Sequence, residues 1–212
     1  MSRENEIKKL EDARKAFKGF NVVFRDMKGE NPMQILELKN PDGSRHYYIR
    51  YVFDANGGTI TISGDLGEAV VCPTWRADLP STASVGINPG YFMEKVRCSS
   101  DRYDYDEKEF SDELEKVMRS KAEEHNENCT DEFDKIDLDD IGWDVHKVMG
   151  AYDHSDGYRG DDLEAQEALK KYGIDWEDGL YDWGKEWCSR VYLWLCGIEY
   201  AYDTLKAEGK VY

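Results

Sequence analysis

No stretch of about 18 apolar residues occurs in this chain, so no membrane-spanning helix is expected. The opening segment, MSRENEIKKLEDARK, is charged and lacks the apolar centre of a signal peptide, which makes the cytosol the expected location. Cysteine is sparse and odd in number: Cys72, Cys98, Cys129, Cys188 and Cys196 do not form the dense, even framework of a disulfide-stapled secreted domain, and reduced thiols are expected. Reaction-specific motifs are missing too. There is no phosphate loop, no G-x-G-x-x-G, no G-x-S-x-G and no H-E-x-x-H. The four histidines, His46, His125, His146 and His154, are scattered, and their default reading is surface imidazoles rather than partners of a nucleophilic cysteine. The expectation is a protein without catalytic residues and without a cofactor.

What the chain does contain is enough to fold. Its 212 residues include 6 Trp and 14 Tyr, which argues against disorder even with 34% of residues charged. One compact domain over 1–212 is expected. Within it, 1–100 form mainly a sheet with an N-terminal helix, 101–183 an acidic helical region, and 184–212 the end of a helix that packs on the sheet. Charge draws the middle boundary. Residues 101–183 hold 28 of the 45 acids and 10 of the 28 bases, while the rest of the chain is nearly neutral. A field so concentrated repels nucleic acid and anionic membranes and attracts basic surfaces or cations.

The clearest pattern lies in His46–Cys72, HYYIRYVFDANGGTITISGDLGEAVVC. Tyr47, Ile49, Tyr51 and Phe53 alternate with Tyr48, Arg50 and Val52, and Ile60 and Ile62 with Thr59, Thr61 and Ser63, the period of two of a half-buried strand. Asn56-Gly57-Gly58 supplies a hairpin turn, and Gly64-Asp65-Leu66-Gly67 feeds a third strand. Residues 21–25 and 34–39 alternate well enough to precede this meander, giving four or five antiparallel strands, with a strand entering from Ser44. A helix is expected over 4–18. Residues 76–90 read as a long loop, and Tyr91–Cys98 fits a short helix or a strand equally well.

From Tyr105 the period becomes helical, with Phe110, Leu114, Val117 and Met118 as the apolar stripe. Asn126–Thr130 reads as a break. Further helices are expected over 139–152, with Asp139 and Asp140 at its N-terminus, over about 162–172, and over roughly Leu180–Ala207. The last is rich in tryptophan and apolar on a broad face. Packed across the meander, it makes an α+β fold.

Three ligand constellations are available. Cys98, His125 and Cys129 are the candidate zinc ligands by residue type, the last two at i, i+4, but no C-x-x-C supports them and idle thiols are the preferred reading. Asp153, Ser155, Asp161 and Glu164 occupy the first, third, ninth and twelfth places of an EF-hand-like loop, yet Tyr158 stands where glycine is required, so a polar loop is expected. A carboxylate pair for hydrolysis cannot be singled out from so many acids. The density of acids is itself the notable feature. Seventeen fall in the 40 residues 101–140 against six bases, more than solubility asks for. Carboxylates recurring every two to four residues along helices approach the spacing of phosphates on nucleic acid, and such a surface fits the basic groove of a nucleic-acid-binding protein, gaining from the same counterion release. The candidate contact residues are Glu107, Glu109, Asp112, Glu113, Glu115, Glu123, Glu124, Glu127, Asp131, Asp134 and Asp137.

In YYIRYVFDANGGTITISGDLGEAVV and WCSRVYLWLCGIEYAYDTL the chain resembles a group of small proteins encoded in phages and prophages of Gram-positive bacteria. Acidic phage proteins of this size include anti-CRISPR inhibitors, which bind the effector nuclease and block its guide-loading, target-recognition or nuclease surfaces. The resemblance carries over no catalytic motif. It implies a non-catalytic inhibitor whose partner is a CRISPR effector nuclease or a similar basic nucleic-acid-binding protein, with no direct contact to nucleic acid or membrane. The alternatives are a metal-binding or carboxylate-dependent phage enzyme and a phage structural or assembly protein.

Overall fold

The computed structural model describes residues 3–100, 102–153, 157–175 and 180–211. Contacts divide the chain into two compact units, one comprising residues 2–102 and 187–212, the other Tyr103–Glu186. One compact domain was expected, but the inserted unit lies within a few residues of the charge boundary drawn at 101–183. The fold is α+β.

The first unit is built on a six-stranded antiparallel sheet in sequence order: β1 Asn21–Met27, β2 Met33–Lys39, β3 Ile49–Asp54, β4 Thr59–Gly64, β5 Ala69–Val71 and β6 Val96–Ser99. The period-two pattern fixes the register. Leu36 lies opposite Tyr51, Tyr51 opposite Ile62, and Ile62 opposite Ala69, so these side chains share one face, and all are buried. The expected count of strands rises to six because Tyr91–Cys98 contains both candidate structures: helix α3 (Pro89–Glu94) and then β6. The loop expected over 76–90 is likewise partly ordered into helix α2 (Leu79–Ser84). Asp78 and Asn88 cap α2 and α3, each side chain accepting a main-chain N–H three residues on, with proline in the first turn.

The strand expected from Ser44 starts only at Ile49. Asp42 accepts the Ser44 N–H at 2.7 Å, and Tyr47 takes a positive φ of 58° while its N–H is held by Asp65 at 2.9 Å. Local side-chain acceptors thus compete with the ladder for these amides.

Helices α1 (Arg3–Ala16) and α7 (Ser189–Ala207) complete this unit. The tryptophan-rich helix does pack on the sheet's apolar face: Trp194, Val191, Ile198 and Leu205 join Leu36, Tyr51 and Ile62 in one core. It begins nine residues later than expected, however. Leu180–Asp182 is a 3-10 turn, Gly184 has φ +67°, and Lys185–Trp187 forms strand β10. Trp183 therefore belongs to the core of the second unit and Trp187 packs on that of the first.

The Tyr103–Glu186 unit contains β7 (Tyr103–Tyr105), which pairs with β10, and helices α4 (Glu107–Asn128), α5 (Ile141–Met149) and α6 (Leu163–Lys171). Strands β8 (Tyr152–Asp153) and β9 (Gly157–Tyr158) form a small hairpin. Its own core joins Phe110, Leu114 and Met118 of α4 to Ile141, Val145 and Val148 of α5 and Ala165 and Leu169 of α6. Of the helix expected over 139–152, the first residues are instead a 3-10 turn, Leu138–Asp140, capped by Asp137 and running into α5, and at the other end Tyr152 enters β8.

Candidate interaction surface

Helix α4 carries most of the candidate contact residues. Asp106 caps it, its carboxylate accepting the Glu109 N–H at 2.8 Å, and Glu107 and Glu109 lie in the first turn, where they complement the helix dipole. The helix runs past the expected break at Asn126 and ends at Asn128, with Cys129 in extended conformation. Burying Phe110, Leu114, Met118 and Ala122 leaves the opposite side to solvent. At about 100° per residue, Glu109, Glu113, Ser120, Glu124 and Glu127 fall within roughly 60° of one another, a stripe about 27 Å long with the exposed Lys116 about 20° outside its edge. Glu113, Glu124 and Glu127 are exposed and Glu109 is half-buried. Asp112 and Glu123 lie beyond Lys116 on the same flank and are exposed, as is Glu107. Glu115 lies on the other flank, where Arg119 meets it at 3.1 Å, so its charge is locally offset.

The stripe continues into the segment that joins α4 to α5. Asn126 closes this segment from both sides: its amide nitrogen donates to the Ile136 carbonyl and its amide oxygen accepts the Ile136 N–H, each at 2.8 Å. Asp131 accepts the Phe133 N–H at 3.0 Å, and Asp137 the Asp139 N–H at 2.9 Å. Between these anchors Asp131, Asp134 and Asp137 face solvent, and Phe133 is 97% exposed. A fully solvated phenylalanine beside fixed carboxylates has the make-up of a contact anchor, an apolar group ringed by charge.

The candidate metal ligands are not brought together. His125 Nε2 lies 3.0 Å from the Asp134 carbonyl, the Cys129 thiol donates to the Asp131 carbonyl at 3.3 Å, and Cys98 is an exposed residue of β6 in the sheet unit. Among the described residues no three His, Cys, Asp or Glu side chains gather to hold an ion. In the EF-hand-like segment Asp153 pairs with Arg159 at 2.9 Å and Glu164 sits in the first turn of α6; His154 and Ser155 lie outside the described residues.

Two residues of this unit had no distinguishing mark in the sequence. Asp144 on α5 is only 3% exposed. One of its oxygens accepts from Lys147 at 2.9 Å; the other accepts from Lys171 and from the Tyr172 hydroxyl, both at 2.8 Å. Burial by itself raises the Asp144 carboxyl, but these three hydrogen bonds outweigh it and hold the group below its ordinary range. Beside it Trp143 is 66% exposed, its ring 5.9 Å from that of His146.

No family model, curated protein or solved structure matches the chain.

Proposed function

We propose that the chain is a non-catalytic phage-type inhibitor acting in the host cytosol, and that its acidic unit occupies the basic nucleic-acid-binding surface of a target protein. The resemblance to phage proteins makes a CRISPR effector nuclease the target class of choice. The observation that carries this reading is the row of Glu109, Glu113, Glu124 and Glu127 along α4, four carboxylates edged by the single base Lys116 and followed in the chain by the exposed Asp131, Asp134 and Asp137. Carboxylates on a folded helix need no backbone ordering when they replace phosphates in a groove, which leaves only their side chains to be ordered on binding. Phe133 adds an apolar contact that nucleic acid itself lacks, favouring a protein partner with a pocket rimmed by Lys or Arg.

The test is inhibition of a purified effector nuclease measured across a salt series. Binding that displaces about four counterions weakens roughly a hundredfold between 50 and 200 mM salt. Glu113, Glu123 and Glu124 changed together to Lys should abolish inhibition while the fold is kept, since all three are exposed. Unchanged inhibition by that triple variant, with loss on substitution in the sheet unit, rejects the reading.

A further inference from the structure

Between α5 and α6 lies an open cleft of about 730 Å³ within the acidic unit. Its charge is uneven. Asp140, Asp144, Asp162, Glu164 and Glu167 line it against Lys147 and Lys171, three negative charges in excess with histidine neutral. The two lysines do not offer themselves to an anion, because both ammonium groups are committed to Asp144, and Lys171 also stands 3.7 Å from Asp140. Glu164 and Glu167, one turn apart on α6, are exposed and pair with no cation among the described residues. Asp162 is engaged as the cap of α6. On the α5 side the cleft is walled by Trp143, whose indole is largely solvated.

We infer that this cleft receives an arginine side chain of the basic partner, with Trp143 supplying the π-face and Glu164 and Glu167 the carboxylates. An indole and unpaired carboxylates lining one cleft are complementary to a guanidinium. The planar cation stacks on the ring while its N–H fork reaches an acid, a geometry that a lysine ammonium matches only as a point charge. The Asp144 cluster has a positioning role: it holds Lys147 and Lys171 on Asp144, with Lys171 also near Asp140, rather than on Glu164 or Glu167, and it ties α5 to α6. The inference deepens the inhibitor reading and rests on it for the identity of the arginine's bearer.

The cleft itself is tested without the partner. The full-length chain is titrated with Nα-acetyl-arginine methylamide, with its lysine counterpart and with inorganic phosphate, following the indole N–H signal of Trp143, assigned through Trp143→Phe. The expected result is a saturable shift with the arginine compound, weaker by about tenfold in Glu164→Gln/Glu167→Gln and weaker still with lysine. Both substituted residues are exposed, and the remaining amide signals report that the fold is kept. An unmoved Trp143, a shift indifferent to the two glutamines, or a response to phosphate alone overturns the inference. A second measurement separates the two readings. If arginine binds here but the α4 triple reversal leaves nuclease inhibition unchanged, the inhibitor reading falls and the cleft stands; if the reversal abolishes inhibition but arginine does not bind, the cleft falls alone.

Discussion

The Tyr51 hydroxyl donates a 2.8 Å hydrogen bond to the main-chain carbonyl of Trp194, tying the centre of the sheet to the first half of α7. The same oxygen explains a glycine in the middle of that helix. A Cβ added at Gly197 would stand 2.5 Å from the Tyr51 oxygen and 3.1 Å from a methyl of Leu38. In an open helix alanine gains about 1 kcal/mol over glycine. Here Gly197→Ala is expected to lose about 1–2 kcal/mol through overpacking, and Tyr51→Phe about 1 kcal/mol through the lost hydrogen bond. The double variant is expected to be less destabilised than the two losses added, by about 0.5 kcal/mol or more, because removing the oxygen vacates the space the new methyl needs. Urea unfolding of the four proteins measures the coupling; strict additivity contradicts it.

Asn126 makes a different prediction, confined to the acidic unit. Its amide satisfies both main-chain groups of Ile136, ten residues away. Asn126→Ala leaves a half-buried N–H and C=O without those partners, at a cost of about 1–2 kcal/mol. Because the bonds close a loop rather than build the core, amide exchange at Ile136 and Phe133 should accelerate while amides of Leu114 and Met118 keep their protection. Uniform acceleration across α4 would show instead that Asn126 supports the whole unit.

The parts of this fold legible in the sequence are those governed by local periodicity. Tyr51, Phe53, Ile60 and Ile62 alternate cleanly because their face meets α7, and Phe110, Leu114 and Met118 repeat at helical spacing because one side of α4 meets α5. The boundary at 180–188 was hidden, since Trp183 and Trp187 preserve a helical phase across it; Gly184, with its positive φ, was the one local signal. In α2 and α3 the capping pairs Asp78 with Pro80 and Asn88 with Pro89 were available in the sequence, although short helices add little periodicity. At the candidate surface the exposed acids of α4 could be listed from the sequence. Asp144 could not be told from them, because its partners Lys171 and Tyr172 are contributed by another helix.

The thiols divide by burial. Cys98 is exposed, whereas Cys188 and Cys196 are buried, and burial pushes the Cys196 thiol up to about 12. A thiol held that high is almost wholly protonated at pH 8 and is a poor nucleophile. With a disulfide reagent, Cys98 should react in the native protein, and Cys188 and Cys196 only at the rate at which the sheet unit opens. Mass mapping of the modified cysteines after a short pulse checks this order. Early labelling at Cys196 would show that α7 leaves the sheet far more readily than its packing implies.

Asp144 gives the acidic unit its pH dependence. Its carboxyl is lowered from an ordinary value of 3.8, so the stability it contributes is complete above that value and is lost as pH falls through the lowered one. Lys171 is raised from 10.5, chiefly by its hydrogen bond to Asp144, and burial and the same carboxylate push the Tyr172 hydroxyl up to about 12. The contributions of these two are complete below their ordinary values and fade as pH rises through the raised ones. The cluster should therefore act at full strength from about pH 4 to about pH 10. Asp144→Asn is expected to cost on the order of 2 kcal/mol within that range, since it removes charge-assisted bonds to two lysines while leaving their ammonium groups able to turn to water. As pH falls below 3.8 the difference should shrink, because the unfolded wild-type chain then takes up a proton that native Asp144 resists. Amide exchange of α5 and α6 at pH 7, 4 and 2 reads the effect in the right unit; a penalty unchanged at pH 2 would mean that Asp144 works through shape and not through charge.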